Sequence, residues 1–295
     1  MNKIILVTGA TGGIGKQYSK EMLRQGYHLV LTYRNEKAGR DLQKELQQQF
    51  SDAKIDIMEI DLGSFDSIKS FAKQFLETYD RLDVLVHNAG VYFFDNTKRV
   101  SAEGIELHTA VHLVAPYMLT GLLFPLLEKT PHSKVISMSS TEHKGAPFNV
   151  DDLTLEKTFN TVGNMKAYSS SKFGLLVFTA ELNRRLQRHN KGITALAAHP
   201  GLSITGIQHK GNPNGVQKFM IGMMGKFLAG KPEDAAKPLV LATTQGKAFE
   251  YYGPTGFKEA KGAPGLVKPD SRTIDENLGQ NLWRELERVT QITYI

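Results

Sequence analysis

Tyr168 and Lys172 stand four residues apart in MKAYSSSKFGLLVFTAELNRRL, a stretch whose apolar spacing predicts a helix, so both side chains leave one face. A phenol with an ordinary pKa near 10 is a poor base at neutral pH; a neighbouring ammonium stabilises the phenolate and lowers that value. The pair is therefore expected to trade a proton with a bound alcohol or carbonyl. Ser140 ends the run KVISMSS, where its hydroxyl can hydrogen-bond a substrate oxygen and stabilise developing charge, with Ser139 the weaker candidate. Taken alone, a Tyr-x-x-x-Lys pair is an ordinary solvated pair on a helix. Its weight here comes from the company it keeps.

That company begins with Thr8-Gly9-Ala10-Thr11-Gly12-Gly13-Ile14-Gly15, which leaves a predicted strand and opens a predicted helix. Glycines permit the tight turn and close approach, while free N–H groups and the helix dipole attract a pyrophosphate. Gly9, Thr11, Gly12, Gly13, Ile14 and Gly15 are thus candidate dinucleotide contacts. Arg34 ends the second predicted strand, where an NAD enzyme commonly places an acid for the ribose hydroxyl. A guanidinium suits a 2′-phosphate instead, so NADP(H) is expected; the alternative is a surface arginine capping the next turn.

These residues need a frame. KIILVT, HLVLTY, KIDIMEI, LDVLVHN, KVISMS and GITALAAH read as six strands apolar on both faces, alternating with helical spacing. AFEYYG adds a short seventh. Right-handed crossovers then predict an α/β fold, a Rossmann-like doubly wound parallel sheet of about seven strands with ligands at the carboxyl ends. No repeat or long linker divides the chain, so residues 1–295 are expected to form one domain, with a cofactor part over about 1–160 and a catalytic and substrate part over about 161–295. After His199 the rhythm loosens into GLSITGIQHKGNPNG and the methionine-rich VQKFMIGMMGKFLAG, read as a C-terminal substrate lid. Met220, Met223 and Met224 suit an adaptable lid, then core, then a membrane-touching patch with Lys218 and Lys226, in that order. Helices are expected around PEDAAKPLVLATTQ and DENLGQNLWRELERVTQ.

With no cysteine, the chain has no disulfide, thiolate metal site or cysteine nucleophile. Its 36 basic and 30 acidic residues are scattered along helical patterns as solvated faces, with no run dense enough to predict nucleic-acid binding. The first residues reach the glycine loop too soon for a signal peptide, and no stretch is expected to approach the roughly eighteen apolar residues of a membrane span. A cytoplasmic location follows as the expectation.

The ordered set resembles the short-chain dehydrogenase/reductase family. TGATGGIG matches its Thr-Gly-x-x-x-Gly-x-Gly turn, followed in family order by Asp61-Leu62, His87-Asn88-Ala89-Gly90, Ser139-Ser140, Tyr168-x-x-x-Lys172 and His199-Pro200-Gly201. The likeness runs from residue 8 to about 205, and Tyr251 to Phe257 with Leu282-Trp283 extend it. The resemblance implies that Asp61 and Leu62 line the adenine pocket, and that Asn88, Ala89 and Gly90 run beside the ribose and stabilise the sheet. It implies that Lys172 holds the ribose hydroxyls beside Tyr168, that Pro200 and Gly201 form a cofactor-contacting turn, and that Thr205 touches the nicotinamide carboxamide or phosphate. It also implies a homodimer or homotetramer through the apolar side of the Tyr168 helix. The insert with Asp151-Asp152-Leu153, together with Trp283, looks like the branch of retinol dehydrogenases and light-dependent protochlorophyllide reductases. That branch implies a small apolar carbonyl or alcohol substrate. Eukaryotic retinol enzymes often carry a membrane anchor; this chain reads as having none, so no stable membrane insertion is expected.

Two departures stand out. His112 takes the place where the family usually has an asparagine that holds a water connected to the lysine. It is counted with the catalytic residues, with a charge expected to vary near neutral pH and to oppose Lys172. His87 replaces the first asparagine of Asn-Asn-Ala-Gly. His108 and His112 have the spacing of two zinc ligands, but the intervening Thr-Ala-Val lacks the glutamate and no third ligand is evident, so no metal is expected. His199 reads equally as packing or as cofactor contact. The departures motivate a rival reading, a non-catalytic dinucleotide sensor or partner-binding protein on the same fold. Tyr251-Tyr252-Gly253-Pro254 motivates another, a light-driven or ring-reducing relative.

Overall fold

The computed structural model describes residues 3–95, 97–202, 209–210 (backbone only) and 231–295. Short β-branched runs form the strands β1 (Ile4–Val7), β2 (His28–Tyr33), β3 (Ile55–Glu59) and β4 (Val84–His87). A two-residue β5 (Tyr92–Phe93) follows, then β6 (Lys134–Met138), β7 (Thr194–Ala198), β8 (His209–Lys210), β9 (Tyr251–Pro254) and β10 (Pro264–Leu266). The main sheet has the order β10-β9-β7-β6-β4-β1-β2-β3. Its seven-strand parallel body matches the expectation, and β10 adds an antiparallel eighth strand. Pro264-Gly265-Leu266 carries no strand signal in its residue types; it is a strand because it pairs with β9. Strand order reverses between β1 and β4, the place where such a sheet opens a crevice for ligand.

Helices cover both faces. α1 (Gly13–Arg24), α2 (Glu36–Gln49) and α6 (Pro232–Gln245) bury their apolar stripes against Val7, Leu29, Leu31 and Val86 on one side. α3 (Phe65–Thr78), α4 (Leu107–Lys129), α5 (Phe159–Arg188) and α7 (Glu276–Thr290) cover the other. The ends follow ordinary capping: Asn35, Ser64 and Asp275 side chains accept the amides of Ala38, Ser67 and Leu278. α4 contains a π-turn at Ala110–Val114, centred on His112.

Two expectations need correction. By length and the mean hydropathy of its most apolar eighteen-residue window (1.7), α4 does qualify as long and apolar enough to cross a membrane; 83% of that window is buried inside the protein, so its apolar character is used in core packing. The apolar side of the Tyr168 helix, expected as a subunit contact, is covered by the same chain. Phe178, Leu182 and Leu186 of α5 pack with Leu282, Trp283 and Leu286 of α7, Trp283 stacking on Phe178 with centroids 6.0 Å apart. Trp283 is 1% exposed, so its removal would cost about 3–5 kcal/mol. A dimer or tetramer would have to use another face. Thr205 and the Met220, Met223, Met224, Lys218 and Lys226 cluster lie outside the described residues.

Candidate active site

The glycine turn is held to the end of β4. Thr8 Oγ1 donates to Val86 O (3.1 Å) and accepts the amides of Asn88 (3.0 Å) and Ala89 (3.1 Å). The Asn88 side-chain Nδ2 donates to Thr8 O (2.9 Å) and Gly9 O (3.1 Å). Gly9 has φ +67°, and a Cβ on it would lie 2.6 Å from Ala89 Cα; one on Gly15 would lie 2.5 Å from Gly9 O. Glycine is therefore required at both positions. α1 starts from Gly12, which has no side chain to cap it, and its first turn carries no acid. Its leading amides are accordingly suited to an anion. Thr11, Gly12 and Gly13 are half-buried and Ile14 is buried beneath them.

Arg34 is exposed and makes no hydrogen bond or ion pair with a described residue, while Asn35 caps α2. The capping alternative for Arg34 therefore falls away. Asp61 and Leu62 are half-buried after β3, with Asp61 Oδ1 taking the Gly63 amide at 2.9 Å and Leu62 packed on the core. These groups fit a dinucleotide laid across the carboxyl ends of β1, β2, β3 and β4.

The second half of the site lies one strand over. Ser140 follows β6, and Tyr168 and Lys172 sit in α5, all three under a tenth exposed. A Ser140 side-chain hydrogen bond acts to lower the Tyr168 phenol, but burial outweighs it and pushes the pKa up to about 12. Lys172 Nζ donates to Met138 O at 2.8 Å and lies 6.0 Å from the Tyr168 ring centroid. Burial pulls its ammonium down to about 7. The expected lowering of Tyr168 by Lys172 is thus not delivered by the chain's own groups: desolvation is the largest cause acting on both residues. Tyr168 is a phenol at neutral pH, ready to donate its proton. Ser139 Oγ is turned to Lys172 O (3.1 Å), which leaves Ser140 as the hydroxyl beside Tyr168.

His112 corrects a further expectation. The Val91 amide donates to its Nε2 at 2.9 Å, so the ring hydrogen sits on Nδ1, 2.8 Å from Ser171 Oγ, which in turn donates to Tyr168 O at 2.7 Å. Burial, with Lys172 and His108 adding to it, holds the imidazole well below its usual pKa. It is neutral near pH 7 and does not oppose Lys172 by charge. Both nitrogens are engaged inside the protein, leaving neither to hold a water for Lys172. His87 is buried likewise, Nε2 against Thr120 Oγ1 at 2.9 Å, its pKa pulled to about 3.

Other neighbours carry little sequence signal. Tyr92 meets the Tyr168 ring edge-on at 5.2 Å, as does His112 at 5.4 Å. His108 lies 6.0 Å away, its Nδ1 2.7 Å from the fully buried Glu106. Glu106 also caps α4 by accepting the Thr109 amide. The β5 strand bearing Tyr92 pairs with the backbone of β8, which brings the chain after β7 across this corner of the site. Pro200, Gly201 and Leu202 turn away from β7, with Gly201 at φ +73°. Among the described residues, no cluster of three or more histidine or acidic side chains could hold a metal.

The short chain dehydrogenase family model matches residues 3–150. Retinol dehydrogenase 13 of Homo sapiens is 31% identical over 297 residues, covering 97% of this chain and 84% of the relative. Retinol dehydrogenase 11 of Homo sapiens is 31% identical, covering 95% and 83%. A crystal structure of an uncharacterised protein from Mycobacterium paratuberculosis superposes with a TM-score of 0.81 at 25% identity, covering 99% of this chain and 95% of that one. A metagenomic short-chain oxidoreductase in complex with NADP gives a TM-score of 0.61 at 26% identity, covering 84% and 93%. The chain belongs to the short-chain dehydrogenase/reductase family of oxidoreductases, in its retinol dehydrogenase-like branch.

Proposed function

We propose that this protein is an NADP(H)-dependent oxidoreductase acting on a small apolar carbonyl or alcohol. The observation that carries the reading is the approach of Ser140 to Tyr168, with Lys172 buried beside them, next to a glycine turn built for a dinucleotide. Gly9 to Gly15 would cradle the pyrophosphate, Asp61 and Leu62 the adenine, Asn88, Ala89 and Gly90 the ribose side. Pro200, Gly201 and Thr205 would face the nicotinamide end. Arg34, without a partner among the described residues, would take a 2′-phosphate as a charge-assisted pair. When bound, the nicotinamide supplies or accepts the hydride. Ser140 orients the substrate oxygen, Tyr168 gives or takes its proton, and Lys172 holds the ribose and, when charged, favours the phenolate. His112 positions the Val91 backbone and the Tyr168 turn of α5.

The relatives' names point to retinol-like apolar alcohols, and the aromatic edge of Tyr92 suits such a substrate. We read residues 1–295 as one working unit, because the sheet continues from the cofactor half into the catalytic half. A cytoplasmic location is part of the reading. The test is fluorescence titration with NADPH and NADH, then oxidation of NADPH against a panel of apolar aldehydes and ketones. Tight NADPH binding with turnover is expected. Absence of dinucleotide binding overturns the reading, and binding with no turnover across the panel favours the sensor.

A further inference from the structure

Behind the Pro200–Gly201 turn, two buried polar atoms, His199 Nε2 and Glu259 Oε2, make no well-aligned hydrogen bond with any described residue. They lie 3.2 Å apart. His199 Nδ1 accepts the Gly201 amide at 3.1 Å, so the hydrogen of the neutral ring is on Nε2, the ring nitrogen that lies beside the carboxylate. Burial keeps the ring neutral, pulling its pKa to about 3. β9 passes so close that a Cβ on Gly253 would lie 1.9 Å from Nε2, so no side chain there could replace Glu259 as a partner.

The other Glu259 oxygen takes Lys144 Nζ at 2.6 Å, four residues beyond Ser140. The segment around Glu259 repeats this double attachment. Ala260 O accepts the Leu202 amide at 2.9 Å, while Asp270 Oδ2 accepts the Gly145 amide at 3.0 Å and the Asp270 amide donates to His143 Nε2 at 3.1 Å. Arg272 reaches Ala146 O at 3.2 Å. Lys258 and Glu259 hold consecutive left-handed backbones, φ 50° and 56°, an arrangement non-glycine residues keep only where surrounding contacts enforce it. It presents the Glu259 and Ala260 carbonyls to Gly201, where a Cβ would lie 2.5 Å from Ala260 O.

We infer that Glu259 is a positioning residue, locking the loop after Ser140 and the Pro200–Gly201 turn into one register so that substrate oxygen and nicotinamide meet correctly. The inference rests on the proposed function for what the two loops face. Its test uses the full chain in two measurements. Hydrogen exchange without dinucleotide, over peptides 143–146 and 199–202, reads the lock itself; NADPH titration and steady-state kinetics read its consequence. Glu259→Ala is expected to speed exchange at least tenfold in both peptides together. It should raise the NADPH Kd and KM about tenfold while kcat at saturating NADPH falls less than threefold. Glu259→Gln, which keeps an oxygen for His199 Nε2, should return the Kd to within threefold of wild type. Unchanged exchange in either peptide, an unchanged Kd in Glu259→Ala, or a Glu259→Gln variant as weak as alanine overturns the inference. A wild-type chain that binds no dinucleotide overturns the enzyme reading, and the lock is then decided by exchange alone.

Discussion

The glycine-turn end and the Tyr168 end of the site are built from different materials. At the first, the frame is backbone, a left-handed Gly9 and an uncapped α1, held by the Asn88 side-chain amide donating to two carbonyls and flanked by an exposed Arg34 unpaired among the described residues. At the second, the parts are side chains sunk among rings, where Tyr168, Lys172, His112 and His108 are all under a tenth exposed. A backbone cradle open to solvent binds by shape and dipole, and its strength depends little on titration. A buried cluster does its work through shifted proton affinities, which is why Tyr168 rises to about 12 and Lys172 falls to about 7. The contrast teaches that binding and turnover should be separable here by mutation.

The sharpest break would come from Tyr168→Phe, expected to lower turnover by about 10³-fold or more while the NADPH Kd stays within threefold; comparable loss in both would merge the two ends. Gly9→Ala should act oppositely, on the cradle. Its new methyl would lie 2.6 Å from Ala89 Cα on a left-handed backbone, costing about 1–3 kcal/mol in chemical denaturation and weakening NADPH binding. Arg34→Glu leaves the fold untouched because the side chain is exposed, yet should cut the preference for NADPH over NADH by roughly 10- to 100-fold. An unchanged ratio would remove Arg34 from cofactor choice.

The smallest effect is in acid. His87 and His199 are held neutral with pKa values near 3, and His112 well below the usual range, whereas the unfolded chain protonates near the ordinary 6.5. The stability these groups contribute is whole above about pH 6.5 and is lost as pH falls towards 3, because only the unfolded state takes up the protons. His87→Asn should therefore make the fall of Tm between pH 6.5 and 4 shallower. Gly9→Ala should leave that slope alone.

Much of this was legible before any coordinates. Gly9 to Gly15, Arg34, Asn88 and the six β-branched runs act through local chain properties: which residues tolerate a tight turn, which runs bury on both faces, which helix starts without an acid. Tyr168 and Lys172 were legible because helix periodicity alone places residues four apart on one face. What they do to each other was not. Only the packed structure decided that burial raises the Tyr168 phenol and lowers the Lys172 ammonium, that His112 is neutral and spent on Val91 and Ser171, and that α7 covers the outer face of the Tyr168 helix. Spacing along a chain determines which residues can share a surface, whereas proton affinity and partnership depend on what distant segments exclude from that surface, above all water.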